Sequence, residues 1–264
     1  MKEITRTMES AFTVGRIFSK SFQIFSRNAV FMFCASLLVT IPGFIITSYL
    51  SSFFYVVNSF WGILLSALAS MLIGVFTQVV SQAVVIYGVF QSLTGRPPAF
   101  LPSLKVALRR FLPVLIVSFA VTFLILLGCL LLVIPGLIVQ LMLWVAVPVI
   151  MVEKGSLGHA LQRSMTLTRG YRWRIFFLTA LLGVLGMVVG QVRNVIVGGI
   201  FSIGTWQSVW AGFLTNMTLY VCLTGMVHVL ASVVVTVGYY TLRHEVEMVS
   251  LEDLAAVFEE RPVC

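Results

Sequence analysis

Long apolar runs separated by short charged segments organise the chain. Four of them contain no Asp, Glu, Lys or Arg, at 29–95, 111–152, 175–192 and 194–242. Continuous runs of this kind are typical of transmembrane helices, whereas a membrane β-barrel would show segments of about ten residues with period-two alternation. A helix needs about 20 apolar residues to cross a hydrocarbon core roughly 30 Å thick. The pattern therefore predicts an all-α integral membrane protein.

The four runs divide into six predicted spans. The run 111–152 would form a helix of about 63 Å if it were continuous, because each residue adds 1.5 Å, and that is twice the core. We interpret Pro135-Gly136 as a tight turn between two spans, since proline lacks a backbone donor and glycine tolerates unusual dihedrals. The fourth span is short and contains Pro148, so a partly re-entrant segment is the alternative. The predicted spans are 29–57, 61–93, 112–134, 137–152, 173–192 and 209–240.

The positions of the cations support six spans. Lys and Arg favour the cytoplasmic side of short loops. With the N-terminus inside, sixteen of the seventeen cations fall in 1–28, 94–111, 153–175 and 241–264, and Arg193 alone falls outside. If 111–152 were one span, the five cations of 153–175 would move across the membrane. The chain is thus predicted to lie in a bacterial inner membrane with both termini in the cytoplasm.

Composition agrees with a membrane protein and removes one class of partner. Hydrophobic residues make up 59% of the chain and charged residues 10%, and the mean hydropathy is +1.06. Soluble domains carry about 25% charged residues. The net charge of +8 requires no nucleic acid, because membrane topology already accounts for the cations.

The segment 1–28 is predicted to be an amphipathic helix on the cytoplasmic surface. Its basic face holds Arg16, Lys20, Gln23 and Arg27, and its apolar face holds Val14, Phe18, Phe22 and Phe25. This pattern is typical of a helix lying in the membrane interface. Arg16 and Lys20 are candidates for attracting anionic lipid, and the alternative is that they only set topology and anchor the chain.

A weak internal repeat relates two later segments. The sequence SLKVALRR at 103–110 shares Ser-Leu, Ala-Leu and a final Arg with SLGHALQR at 156–163. Each serine is a candidate helix N-cap, and each segment leads into a span. The repeat favours three units, each an amphipathic helix followed by a hairpin of two spans.

The second segment continues into a dense basic cluster next to Trp173. Its members are Arg163, Arg169, Arg172 and Arg174. Each cation near an anionic membrane surface contributes about 1 kcal/mol. We therefore predict that this cluster binds anionic lipid head groups or an acidic membrane-protein partner, with topology determination as the alternative.

The sequence gives no pattern expected of an enzyme. None of the nine acidic residues falls in a predicted span, whereas buried carboxylates are the usual proton relays and cation ligands of pumps. His228 is the one titratable group near mid-depth and has no carboxylate partner in the spans. The histidines and cysteines lack metal-ligand spacing, and no phosphate-binding glycine loop is present. We predict no catalytic activity, no metal and no cofactor.

Polar side chains within the spans form a second candidate site. They are Gln78, Gln82, Gln140, Asn216 and His228. The functional interpretation is a polar lining for a substrate path. The alternative is hydrogen bonding between helices, worth about 0.6 to 2 kcal/mol for each bond. Gly186 and Gly190 form a GxxxG pattern, which also favours helix packing.

The central sequence resembles a known family. The stretch LLLVIPGLIVQLMLWVAVPVIMVEKGSLGHALQRSMTLTRGYRWRIF, residues 130–176, is similar to the centre of the YciC-like bacterial six-span proteins. It also resembles the membrane domain joined to some glycerophosphodiester phosphodiesterases. The matching positions are Ile134-Pro135-Gly136, Trp144, Pro148, Ala160-Leu161, Arg163-Ser164, Leu167-Thr168, Gly170 and Trp173-Arg174, with Tyr239–Arg243 near the end. The resemblance implies a six-helix inner-membrane protein linked to envelope integrity, and it implies no particular reaction.

Two functional hypotheses follow. The first is a non-enzymatic scaffold or envelope-maintenance protein that binds partners or anionic lipid through its basic cytoplasmic face. The second is a permease or lipid-handling transporter with a polar site at mid-depth. The acidic tail 244–264 is predicted to be cytoplasmic, where it could dock on the basic loops or on a partner.

Overall fold

The computed structural model describes residues 13–57, 60–93, 97–153, 155–202 and 218–247. These residues are almost entirely helical, and no strand occurs among them. The helices are α1 Val14–Val57, α2 Phe60–Leu93, α3 Phe100–Arg109, α4 Phe111–Leu131, α5 Val133–Met142, α6 Ala146–Glu153, α7 Leu157–Thr168, α8 Arg172–Ser202 and α9 Gly225–Glu247, with a π-helix at Tyr220–Thr224 directly before α9.

Six segments are long and apolar enough to cross a membrane. They are Val14–Leu50, Trp61–Leu93, Phe111–Leu131, Val133–Glu153, Arg172–Gly199 and Cys222–Glu247. The prediction of an all-α, six-helix, multi-pass membrane protein is therefore confirmed. The short helices α3 and α7 lie between spans, at the same end of the bundle, because two crossings separate them along the chain.

The prediction of a turn at Pro135-Gly136 is wrong. The chain reverses between α4 and α5 three residues before Pro135. Leu132 is the extended residue between the two helices (φ −166°, ψ 149°), and its N–H donates to the Gly128 carbonyl at 3.0 Å. Pro135 is the third residue of α5. The first N–H groups of a helix have no intrahelical acceptor, so a proline there sacrifices no hydrogen bond.

Gly136 serves close packing rather than a turn. A Cβ added at Gly128 would lie 2.8 Å from the Gly136 Cα, so the two glycines allow α4 and α5 to approach closely. The predicted fourth span 137–152 thus extends back to Val133. The 21 residues of Val133–Glu153 are about the number that one crossing requires.

This fourth span is interrupted in its middle. Helix α5 ends at Met142, and α6 begins at Ala146, whose N–H donates to the Leu143 carbonyl rather than to Met142. The freed Met142 carbonyl accepts from two hydroxyls of α7, Ser164 Oγ at 3.0 Å and Thr168 Oγ1 at 3.2 Å. A buried carbonyl needs such a partner, so α7 completes the hydrogen bonding of the span beside it.

Helix α1 joins the predicted N-terminal helix to the first span. It bends at Asn28, which has non-helical dihedrals (φ −120°, ψ 18°). Before the bend, Ile17, Ser21 and Phe25 are the buried residues. On the predicted apolar face, Phe25 is buried, Val14 and Phe18 pack against the core, and Phe22 is 53% exposed. Residues 1–12, which belong to the predicted N-terminal helix, lie outside the described residues.

The repeated serines do not have equivalent roles. Ser156 is the N-cap of α7 and accepts from the His159 N–H at 3.3 Å, as predicted. The prediction is wrong for Ser103, which lies inside α3 and donates to the Ala99 carbonyl at 2.7 Å. Ala99 is the N-cap residue there, and Gln91 Oε1 accepts its N–H at 3.0 Å. Pro102, tolerated in the first turn, lets α3 begin before the serine.

Candidate functional site

The turn between α7 and α8 directs the chain into the fifth span. Gly170 has φ +91°, a conformation that residues with a Cβ rarely adopt. Helix α8 starts at Arg172 with no acidic residue in its first turn. The free N–H groups of a helix N-terminus carry partial positive charge, so this turn adds to the charge of the arginines around it.

A groove of about 640 Å³ lies against this turn. Its lining residues, which we call the basic groove, are Gln162, Met165, Thr166, Arg169, Gly170, Arg172 and Trp173. No acidic side chain is among them. The groove therefore combines two guanidinium groups, neutral hydrogen-bonding side chains and a tryptophan at the start of a span.

The side chains of the basic groove are open to a ligand. Arg169 is exposed and Trp173 is 76% exposed. Arg172 is partly buried, and its Nε has no hydrogen-bond partner in the described part of the chain. A buried donor without a partner has a free-energy cost.

The opposite side of α7 carries a network of ion pairs. Arg163 Nε donates to Glu153 at 3.1 Å, and Arg163 also pairs with Glu247. Arg243 Nε lies 3.0 Å from Glu247, and the Tyr239 hydroxyl donates to Glu153 at 3.0 Å. This network, which we call the ionic cluster, joins the ends of α6 and α9 to the middle of α7.

Arg174 also points away from the groove. Its guanidinium lies 5.7 Å from the centre of the Tyr171 ring, and the Tyr171 hydroxyl donates to Glu245 at 3.2 Å. Burial, together with the negative charge of Glu245, raises the pKa of Tyr171. The predicted four-arginine cluster is thus divided: Arg169 and Arg172 line the groove, whereas Arg163 and Arg174 contact other protein groups.

The N-terminal cations lie apart from the groove. Arg16 is exposed on α1 and Lys20 is partly buried, and neither lines the basic groove. The acidic members of the ionic cluster were not predicted. No local pattern marks them, because Glu153 and Glu247 meet only when α6 and α9 pack side by side.

The predicted mid-depth polar residues are partly brought together. Gln78, Gln82 and His228 line one small pocket between α1, α2 and α9. Gln140 lies on α5 and is not among its lining residues. Asn216 lies outside the described residues. Hydroxyls that were not predicted, Ser36 and Thr40 among them, complete the lining.

The described residues contain no cluster of three or more His, Cys, Asp or Glu side chains that could hold a metal ion. Comparisons with protein-family models, curated proteins and solved structures find no match for the chain. The chemistry of the groove and of the pocket therefore carries the functional argument.

Proposed function

We propose that this multi-pass membrane protein is a non-enzymatic protein of the bacterial inner membrane that binds anionic lipid head groups at its cytoplasmic face. The observation that carries the proposal is the basic groove, in which Arg169, Arg172 and Trp173 meet at the start of a span. The resemblance to YciC-like proteins agrees with this location and suggests a role in envelope maintenance.

The groove has the chemistry that a lipid phosphate requires. Arginine presents a planar set of donors that matches phosphate oxygens, and one such donor, Arg172 Nε, has no protein partner within the described residues. Tryptophan favours the level of the lipid head groups, so Trp173 sets the groove at that depth. The bound lipid would keep its acyl chains beside α8.

The cytoplasmic orientation of the groove is supported by the distribution of charge. The segment 153–175 carries five cations, and the other segments predicted on the same side carry eleven. Cytoplasmic loops of membrane proteins are enriched in Lys and Arg. Anionic lipids give that leaflet a negative surface potential, which would attract the groove's arginines.

The proposal is tested by removing the two groove arginines. Two cations at about 1 kcal/mol each predict that Arg169→Ala with Arg172→Ala weakens phosphatidylglycerol binding roughly 30-fold. Binding to the purified protein in detergent can be measured by native mass spectrometry, with phosphatidylcholine as the zwitterionic comparison. The wild-type preference for phosphatidylglycerol should fall in high salt, because the Debye length shortens from about 10 Å at 0.1 M to about 3 Å at 1 M.

Helix α3 offers a matched control. Lys105 and Arg109 are exposed at the same end of the bundle, so Lys105→Ala with Arg109→Ala removes the same charge without touching the groove. This control should lower affinity by less than the groove variant does, since it leaves both groove guanidinium groups in contact with the phosphate. An equal loss of affinity in both double variants would mean that general surface charge, and not the groove, attracts the lipid. No loss of affinity in either variant would refute lipid binding in the groove.

A further inference from the structure

A second, smaller site lies between helices α1, α2 and α9. It is a pocket of about 40 Å³ lined by Ser36, Thr40, Gln78, Ser81, Gln82, Val85, Tyr220, Gly225, His228, Val229 and Ser232. We call it the polar pocket. Gln82 precedes the end of α2 at Leu93 by eleven residues, or about 16 Å of helix. That distance is about half of a core roughly 30 Å thick.

Several hydroxyls around the polar pocket already have protein partners. Ser36 Oγ and Ser81 Oγ lie 3.0 Å apart, joining α1 to α2. Thr40 Oγ1 donates to the Ser36 carbonyl at 2.8 Å, and Ser232 Oγ donates to the His228 carbonyl at 3.0 Å. These bonds satisfy the hydroxyl groups. The two amides and the imidazole of the pocket still require hydrogen-bond partners.

The side chains of Gln78 and His228, both exposed, and of Gln82, which is partly buried, have no hydrogen-bond partner among the described residues. Each amide has two donor hydrogens and an acceptor oxygen, and a neutral imidazole has one donor and one acceptor. Such groups are strongly unfavourable in hydrocarbon unless something pairs with them. Within the described residues, these glutamines make no bond to a side chain of another helix.

The backbone beside the polar pocket is also irregular. The π-helix Tyr220–Thr224 ends directly before Gly225, which lines the pocket, and His228 follows three residues later. Single π-helical turns interrupt the regular ladder and occur frequently at functional sites. Thr224 Oγ1 is buried without a hydrogen-bond partner in the described part of the chain, a further polar atom close to this site.

We propose that the polar pocket is a hydrated binding site for small uncharged molecules that both donate and accept hydrogen bonds. Its volume admits one or two water molecules, for which about 10–15 Å³ of this measure is the lower limit. No Asp, Glu, Lys or Arg lines it, so an ion would find no opposite charge there. Water is the smallest member of this ligand class and pairs with the amides and the imidazole.

Hydroxyl-radical footprinting measures this hydration directly. Radicals formed by radiolysis of bound water oxidise nearby side chains, and His228 is a reactive one. The protein in lipid nanodiscs should show His228 oxidation several-fold above that of Met187, with both rates corrected for intrinsic reactivity. Met187 is 66% exposed on the apolar helix α8 and lines neither the basic groove nor the polar pocket. Equal protection of the two residues would overturn the proposal.

Paired variants connect the hydration to the glutamines. Gln78→Leu with Gln82→Leu should lower His228 oxidation at least threefold, because water loses most of its partners. Gln140→Leu removes an amide from a span without touching the pocket, so it should leave His228 oxidation unchanged. If the Leu pair fails to accumulate, Gln82→Leu alone should show a smaller decrease. An unchanged His228 rate in a folded Leu variant would contradict the proposal.

Discussion

Helices α3 and α7 contain similar sequences, SLKVALRR and SLGHALQR, and lie at the same end of the bundle. Their central alanines, Ala107 and Ala160, are both fully buried. Their final arginines differ. Arg163 pairs with Glu153 and Glu247, whereas Arg110 has no acidic partner within the described residues. Burial lowers the pKa of Arg110. The residues that the two sequences share therefore give both helices the same buried face. The neighbouring helices determine which partners each polar residue has.

The serines of the two helices differ for the same reason. Ser156 caps α7, but Ser103 bonds within α3. In α7, Ser164 and Thr168 donate to the Met142 carbonyl of the neighbouring span. Helix α7 is therefore tied to α5, α6 and α9 by polar contacts, whereas α3 connects mainly to α2 through Gln91. The comparison can be tested at three levels.

The largest difference should come from the ionic cluster. Glu153→Gln removes the charge that Arg163 and Arg243 face, and Glu153 is only 10% exposed. Breaking a buried pair costs about 3–5 kcal/mol, and partial exposure reduces this to about 2–3 kcal/mol here. The melting temperature in lipid nanodiscs should fall by roughly 5–10 °C.

The corresponding change in α3 is Arg110→Gln. It removes a partly buried cation that has no acidic partner among the described residues, so stability should be unchanged or slightly higher. If the two variants destabilised the protein equally, the ion pairs of α7 would have no net role. A double-mutant cycle between Glu153→Gln and Arg163→Met would then give no coupling.

The next effect concerns the interrupted span. Ser164→Ala with Thr168→Val leaves the Met142 carbonyl without its two hydroxyl partners. An unsatisfied buried acceptor costs about 1–3 kcal/mol, and thermal unfolding should show this loss. Thr122→Val removes a hydroxyl that bonds only within α4 and serves as the control. Equal stability of the two variants would mean that water replaces the missing hydroxyls.

The smallest effect separates the two repeated serines. Ser156→Ala removes an N-cap and should cost about 1 kcal/mol. Ser103→Ala removes a short bond to the Ala99 carbonyl of its own helix and a long contact of 3.4 Å with Gln91 Oε1. It also replaces serine with a better helix former, so its cost should be below about 0.5 kcal/mol. Thermal unfolding of both variants in one lipid composition measures the difference. A larger loss for Ser103→Ala would reverse the assignment of the caps.

The number of spans was predictable because it depends on hydropathy and cation counts, which add along the chain. The first residues of the helices were harder to predict, and the positions of the prolines show this most clearly. Pro102, Pro113, Pro135 and Pro148 are each the third residue of a helix. The prediction of a turn at Pro135 fails because the first turn of a helix tolerates proline.

The sites were predictable only in part. Arg169, Arg172 and Trp173 are close in sequence, so their cluster could be seen before the fold. Gln78 and Gln82 share one helical face, and their meeting with His228 required the packing of α9 on α2. The charge pairs at Glu153 connect residues up to 90 positions apart along the chain, and a single sequence does not reveal which of its cations pair with this carboxylate.

The reversal at Leu132 has a consequence for how the protein reaches the membrane. From Leu130 to Val139 no side chain can form a hydrogen bond, and Leu130 is 82% exposed at the tip. Moving a polar loop across a bilayer is the costly part of inserting two helices. The tip between α4 and α5 has no polar side chain. During biogenesis, α4 and α5–α6 can therefore partition from the insertion machinery as one helical hairpin, without exporting any hydrophilic segment.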